Sequence, residues 1–305
     1  MTLLKVLGIA LLVLAVLAAA FLFYLSRKPL APADYTRTVA AGGEIEAAYL
    51  ANGTCQVAHV EQPTLQGFEK YVIYYPAELE HTDAVWPVVV MANGSGCKAS
   101  KYPALFEHLA SWGFIVIGTE EEYDWNGFAS EMCVRHLIRL NELEQINEAE
   151  NPFRGRIDLE RIGITGHSQG GVGVINAITA PPHKDVYRAA VSLSPTNKAL
   201  AHDLEWDYDA SAVAAPILIL GGEDDWVATG EQFADIYADV PGEKCMALRK
   251  GTDHGSMLYA GDGYVTAWFM YWLQGDTYAG QAVFGENAEL LSNASWLNAA
   301  VHPAP

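Results

Sequence analysis

Three residue types, met in chain order, can together cleave an acyl bond: a serine on a tight turn, a carboxylate and a histidine. Ser168 lies in Gly166-His167-Ser168-Gln169-Gly170, which fits G-x-S-x-G. The short, mostly apolar run before it, residues 162–165, reads as a buried strand. Residues 172–180 after it carry apolar groups at a spacing a helix can use. A strand before and a helix after is the setting in which this pattern projects a hydroxyl alone from a strained bend. Gly166 and Gly170 lack Cβ atoms, so strand and helix can crowd together there. The plainer reading, a glycine-rich turn whose serine caps a helix, fits the flanks less well, and Ser168 is taken as a nucleophile.

Serine is a weak nucleophile at its own pKa and needs a base, itself oriented by a third group. In sheets of alternating strands and helices, reacting groups gather at the carboxyl ends of strands. After the apolar run 216–220 come Gly221-Gly222-Glu223-Asp224-Asp225, and after the run 244–249 come Lys250-Gly251-Thr252-Asp253-His254-Gly255. His254 is the expected base, with a carboxylate holding its tautomer and stabilising the imidazolium. Of the nine histidines, His167 sits inside the bend, where its side chain should point away from Ser168 Oγ. His59, His81, His108, His136, His183, His202 and His302 fall at surface-like or helical positions. Glu223, Asp224, Asp225 and Asp253 are all candidate acids. Asp225 is favoured because Trp226-Val227 turns the chain back into apolar cover, which leaves Asp224 to face solvent or bend the turn. An oxyanion needs two preorganised N–H donors. Gln169 follows the nucleophile and supplies one. The other is expected from Asn93-Gly94-Ser95-Gly96, after the apolar run 87–91, with Ser95 preferred over Gly94 and Gly96. This chemistry requires no metal or organic cofactor.

Around these residues, short apolar runs alternate with helical patterns. Residues 46–50, 55–60 and 71–75 read as early strands, with Asn52-Gly53 as a hairpin signal between the first two. The continuous apolar runs at 87–91, 114–118, 189–193 and 216–220 read as strands covered on both faces. Helices are expected at 103–112, at 128–147 (with Cys133, Leu137, Leu140 and Leu143 in phase), around Phe233 to Val240, and at 264–273. This alternation predicts an α/β fold, a mostly parallel central sheet with helices on both faces. No long insertion separates 193 from 216, so no large lid domain is expected. An open cleft of that kind favours soluble or short-chain substrates.

With 305 residues, 51% of them hydrophobic and 18% charged, the chain describes a folded globular protein. A net charge of −19 excludes a nucleic-acid partner, because no basic stripe meets phosphates. It also disfavours tight contact with anionic lipid headgroups. Residues 6–25 carry no charge and are long enough to span a bilayer. Residues 1–28 therefore read as a membrane anchor or signal segment. Ala31-Pro32-Ala33 is a poor cleavage site, which favours the anchor. Either way the catalytic part is expected outside the cytoplasm, tethered or secreted. Residues 29–43 read as a polar linker, 44–292 as the catalytic domain and 293–305 as a tail. The four cysteines, Cys55, Cys97, Cys133 and Cys245, form no C-x-x-C. Cys97 with Cys133 is the preferred disulfide if the compartment is oxidising; otherwise all four are small buried hydrophobes.

From residue 71 to 284 the chain resembles the α/β-hydrolases, specifically the dienelactone-hydrolase-like branch that holds bacterial cutinase-like polyester hydrolases and lipases. The resemblance is carried by Val88-Val89-Val90-Met91 with its glycine-rich loop, Gly113-Phe114-Ile115-Val116, Gly166-His167-Ser168-Gln169-Gly170-Gly171, residues 217–228, His254, and Ala267-Trp268 through Gly275-Asp276-Thr277. It implies Ser168, Asp225 and His254 as a triad and Ser95 and Gln169 as oxyanion donors. Two positions depart from the family pattern. Ser95 stands where those polyester hydrolases have an aromatic, and Thr196 follows Ser194-Pro195 where they have a tryptophan. Tyr123, Trp125 or Trp226 could supply a different wall. The expectation is a serine carboxylic-ester hydrolase. Amide or peptide cleavage, or acyl transfer, is the alternative on the same machinery, and a non-catalytic binding protein on this scaffold is the third reading.

Overall fold

Val88, Val89 and Val90 are each 0% exposed, as a central strand covered on both faces must be. The computed structural model describes residues 13–19, 28–64, 69–146, 149–285 and 287–302. Most of the 6–25 stretch lies outside these, and no helix among the described residues is long and apolar enough to cross a membrane.

A nine-stranded sheet organises the described chain. Its strands are β1 (Val57–Pro63), β2 (Lys70–Pro76), β3 (Trp86–Ala92), β4 (Ile115–Thr119), β5 (Ile157–His167), β6 (Tyr187–Leu193), β7 (Ile217–Asp224), β8 (Lys244–Asp253) and β9 (Trp296–His302). The order across the sheet is β1-β2-β4-β3-β5-β6-β7-β8-β9. The six strands from β4 to β8 in that order run parallel; β1, β2 and β9 pair antiparallel at the edges. Among the described residues, six helices of seven residues or more cover it: α1 (Glu44–Leu50), α2 (Pro103–Ser111), α3 (Phe128–Glu142), α4 (Gln169–Ala177), α5 (Gly230–Asp239) and α6 (Asp262–Gln274). Alternate strand side chains go to opposite faces. Val89, Met91 and Val116 therefore join α1, α2 and α6 in one core, and Val88, Val90, Ile115 and Ile117 join α3, α4 and α5 in the other. The mostly parallel α/β fold expected from the alternation is the fold observed.

Several expectations are corrected. Residues 46–50 form a helix, α1, not a strand. Ile45 and Tyr49 lie four apart and both turn into the core, and Glu289 takes the free N–H groups of Ile45 (2.7 Å) and Glu46 (2.8 Å) at the helix start. Asn52-Gly53 therefore joins a helix to β1, and Gly53 N donates to Ser111 Oγ at 2.8 Å. Helix α3 stops at Glu142, short of 147, because the Asn151 side chain donates to the carbonyls of Leu140 (2.6 Å) and Leu143 (2.8 Å). Cys97 and Cys133 are not paired: all four cysteines are free, and these two pack in opposite cores across the sheet.

The ends also differ from a linker and a tail. Trp296–His302, read within the tail, is edge strand β9. Within the linker, Tyr35 is 1% exposed and donates its hydroxyl to Asp262. One buried carboxylate explains much of this. Glu46 accepts from Arg249 Nη1 (2.7 Å), Trp296 Nε1 (3.0 Å), Asn293 Nδ2 (2.8 Å) and Gly42 N (2.7 Å). A buried charge is tolerated when paired and hydrogen-bonded in this way.

Candidate active site

Strand β5 delivers Ser168 directly to the start of α4. The serine has φ 61 and ψ −120, a left-handed conformation that a residue with a Cβ adopts only under constraint. The glycines explain how the bend closes. A Cβ on Gly166 would stand 2.4 Å from the Gly170 carbonyl oxygen, and one on Gly170 would stand 2.2 Å from the Ala92 carbonyl oxygen. Neither contact is sterically possible, so only glycine lets β3, β5 and α4 meet this closely.

Strand β8 ends by bringing His254 to this bend. His254 Nε2 is 2.9 Å from Ser168 Oγ, and His254 Nδ1 is 3.0 Å from each oxygen of Asp225, which follows β7. His254 and Asp225 are both 8% exposed. Burial alone would raise the Asp225 pKa, but the hydrogen bonds from His254 and from the Val227 N–H prevail and hold it below the usual carboxylate range. The remaining carboxylates sort themselves by their partners. Glu223 is exposed and accepts from Gly251 N at 2.9 Å, Asp253 accepts from Ser256 N at 2.7 Å, and Asp224 faces solvent. Of the four acids considered, Asp225 alone meets His254.

The backbone donors separate in the same way. Gly94 N is engaged by Tyr102 Oη at 3.3 Å, and Gly96 N donates to the Glu122 carbonyl at 2.9 Å. Among the described residues, the backbone N–H groups of Ser95 and Gln169 have no acceptor. Ser95, His167, Ser168 and His254 line one cavity of about 470 Å³, with Leu30, Cys97, Leu258 and Tyr259 among its other walls. That volume is in the range of small-molecule sites. A hydroxyl, a hydrogen-bonded imidazole–carboxylate pair and the free Ser95 amide meet at this cavity, and the free Gln169 amide belongs to the residue next to the hydroxyl; such a set can run acyl transfer.

A model of the PET hydrolase-like family matches residues 34–300. The chain belongs to the PET hydrolase-like family. It is 31% identical over 183 residues to the bis(hydroxyethyl) terephthalate hydrolase of Streptomyces coelicolor, covering 60% of this chain and 53% of that protein. It is 29% identical over 175 residues to cutinase 1 of Thermobifida cellulosilytica, covering 56% of this chain and 58% of that one. It is also 29% identical over 175 residues to a cutinase of Thermobifida fusca, covering 56% of this chain and 50% of that one. The chain spans about half the length of the relatives it matches.

Against the family pattern, Ser95 is exposed and Thr196 is 2% exposed, so neither supplies an aromatic wall. Of the aromatics considered in their place, Trp226 is 80% exposed, with its ring centroid 5.6 Å from that of His254. Tyr123 is exposed and Trp125 half-buried.

One residue at the site escaped the sequence reading of its role. His167 makes no hydrogen bond to Ser168; instead its Nε2 lies 2.6 Å from the His254 carbonyl, with the two rings 4.7 Å apart. Burial, and next the proximity of His254, lower the His167 pKa to about 4. It is therefore neutral at neutral pH, and a neutral Nε2–H donates to that carbonyl. His167 ties the bend that carries the hydroxyl to the loop that carries the imidazole. Its place inside G-x-S-x-G was the available signal.

Proposed function

We propose that this chain is a serine carboxylic-ester hydrolase acting through an acyl-enzyme. Ser168 Oγ attacks the ester carbonyl while His254 Nε2 takes its proton, and Asp225 keeps the imidazole in the required tautomer. The N–H groups of Ser95 and Gln169 stabilise the oxyanion, each contributing about 3 kcal/mol to the transition state. His254 then protonates the departing alcohol and activates water, which releases the acid and restores the serine. The observation that carries this reading is the continuous contact from Asp225 through His254 to Ser168, at 3.0 and 2.9 Å.

The relatives are, by name, cutinases and a bis(hydroxyethyl) terephthalate hydrolase. The absence of an aromatic at Ser95 and at Thr196 supports small or short-chain esters as the substrates here rather than a flat aromatic polymer. We further infer that residues 1–28 tether or export the catalytic part. Protease accessibility of intact cells tests that location, and protection of the catalytic part would reject it. The activity is tested on the full-length protein in detergent micelles with p-nitrophenyl acetate and butyrate, and with a fluorophosphonate probe. Hydrolysis together with labelling at Ser168 is the expected result. A chain that neither hydrolyses nor labels would be a binding protein on this scaffold.

A further inference from the structure

The segment read as a linker reaches the cavity that holds Ser168. Leu30 N donates to the Lys101 carbonyl at 2.9 Å, and Lys101 Nζ donates back to the Lys28 carbonyl at 2.7 Å. Ala31 is buried at 3% exposure. Tyr35 is anchored by its hydroxyl on Asp262, and its ring packs on His108 (5.9 Å between centroids) and on Tyr259 (5.8 Å). Leu30, held at this height by its backbone, is 40% exposed and lines the cavity with Cys97, Leu258 and Tyr259. The segment thus contributes one apolar wall and braces a second, Tyr259, from behind. Leu30 lies well outside every motif and follows an expected anchor, so nothing in the triad reading assigns it a role.

We propose that Leu30 is a specificity-determining residue: with Leu258 and Tyr259 it forms the surface on which the apolar portion of an ester substrate docks. This rests on the esterase reading and adds the substrate feature it selects. A cavity of about 470 Å³ is large for an acetyl ester and has room for a longer alkyl group against this wall. An apolar wall discriminates by the methylenes it covers, and each is worth several-fold in kcat/KM.

The test uses the full-length protein and its Leu30→Ala and Leu30→Asp variants in non-ionic detergent below its clouding point. One substrate series lengthens the acyl chain, p-nitrophenyl acetate to octanoate; the other lengthens the alcohol, ethyl to octyl acetate. Leu30→Ala is expected to lower kcat/KM for the longest member of one series about five-fold more than for the acetate that begins it, through KM, with no such trend along the other series. Leu30→Asp is expected to exceed that loss. The series that responds identifies which side of the ester meets the wall. Equal effects along both series, or none, overturn the proposal. Should the wild-type chain hydrolyse no ester, the esterase reading fails on its own. The wall is then judged by calorimetric binding of p-nitrophenyl octyl ether, which Leu30→Ala must weaken about five-fold for it to stand.

Discussion

Among the described residues are two buried histidine–aspartate pairs with similar internal geometry and opposite surroundings. In one, His254 Nδ1 sits 3.0 Å from Asp225, and its free nitrogen faces a hydroxyl on a strained bend, open to a cavity. In the other, His108 Nδ1 sits 2.7 Å from Asp262, and its free nitrogen is 3.0 Å from the Ala51 carbonyl, with His108 only 1% exposed. A carbonyl oxygen has no proton to give, so His108 cannot serve as its base. The remaining partner of Asp262 is the Tyr35 hydroxyl, which ties the N-terminal segment to α6. An imidazole–carboxylate pair is thus a proton-handling device or a clamp according to what the second ring nitrogen meets. Burial and pairing alone do not distinguish the two.

The comparison breaks most visibly at the hydroxyl. Ser168→Ala is expected to lower kcat on p-nitrophenyl acetate by about 10⁶-fold, with His254→Ala close behind, because the two act as a unit. Initial rates at matched folded protein measure this, and a loss below tenfold would remove the serine from its role. Asp225→Asn is expected to cost about 10⁴-fold, since the amide favours the wrong tautomer. Asp262→Asn, the same change in the other pair, should leave kcat on acetate within about twofold. It should instead lower unfolding free energy by about 3 kcal/mol, because a buried imidazolium loses its partner. Denaturant titration of the two asparagine variants side by side separates the pairs, and equal rate losses would merge them.

The pH dependence of stability gives the smallest effects and sharpens the same contrast. Burial opposes the charged form of His108, but Asp262 prevails and raises its pKa above the usual value. Its stabilising contribution is therefore complete below about pH 6.5, the unfolded value, and fades as pH rises through the folded one. His167 is the reverse case, lowered to about 4. The unfolded chain takes up its proton first, so stability falls as pH drops from about 6.5 toward 4. His108→Gln should flatten the alkaline limb and His167→Gln the acid limb of midpoint against pH. Limbs unchanged in both variants would assign the dependence to other groups.

Much of the candidate site was legible because parallel strands declare themselves. Val88 through Met91 and Ile217 through Leu220 are apolar on both faces, and the candidate site residues lie in the turns after such runs. Glycines on either side of Ser168 mark the bend for a steric reason that survives into three dimensions. The parts that were misread depend on partners far along the chain. Residues 46–50 read as a short strand, and it is Glu289, more than 240 residues away, that supplies acceptors for the first N–H groups of a helix there. The relation of Cys97 to Cys133 turns on which face of the sheet each occupies. His108 is unremarkable by its neighbours in α2, and its meaning comes from Asp262.

The Glu46 carboxylate gathers groups from residues 42, 249, 293 and 296, so segments near both ends of the sheet-bearing region are fastened at a single knot. Trimming the gene at either border to improve expression would undo that knot from one side and expose an arginine and an indole that had been sealed. A circularly permuted version, with the old termini fused and new ones opened at a surface turn, would keep it. That rearrangement is the gentler way to move the ends of this chain.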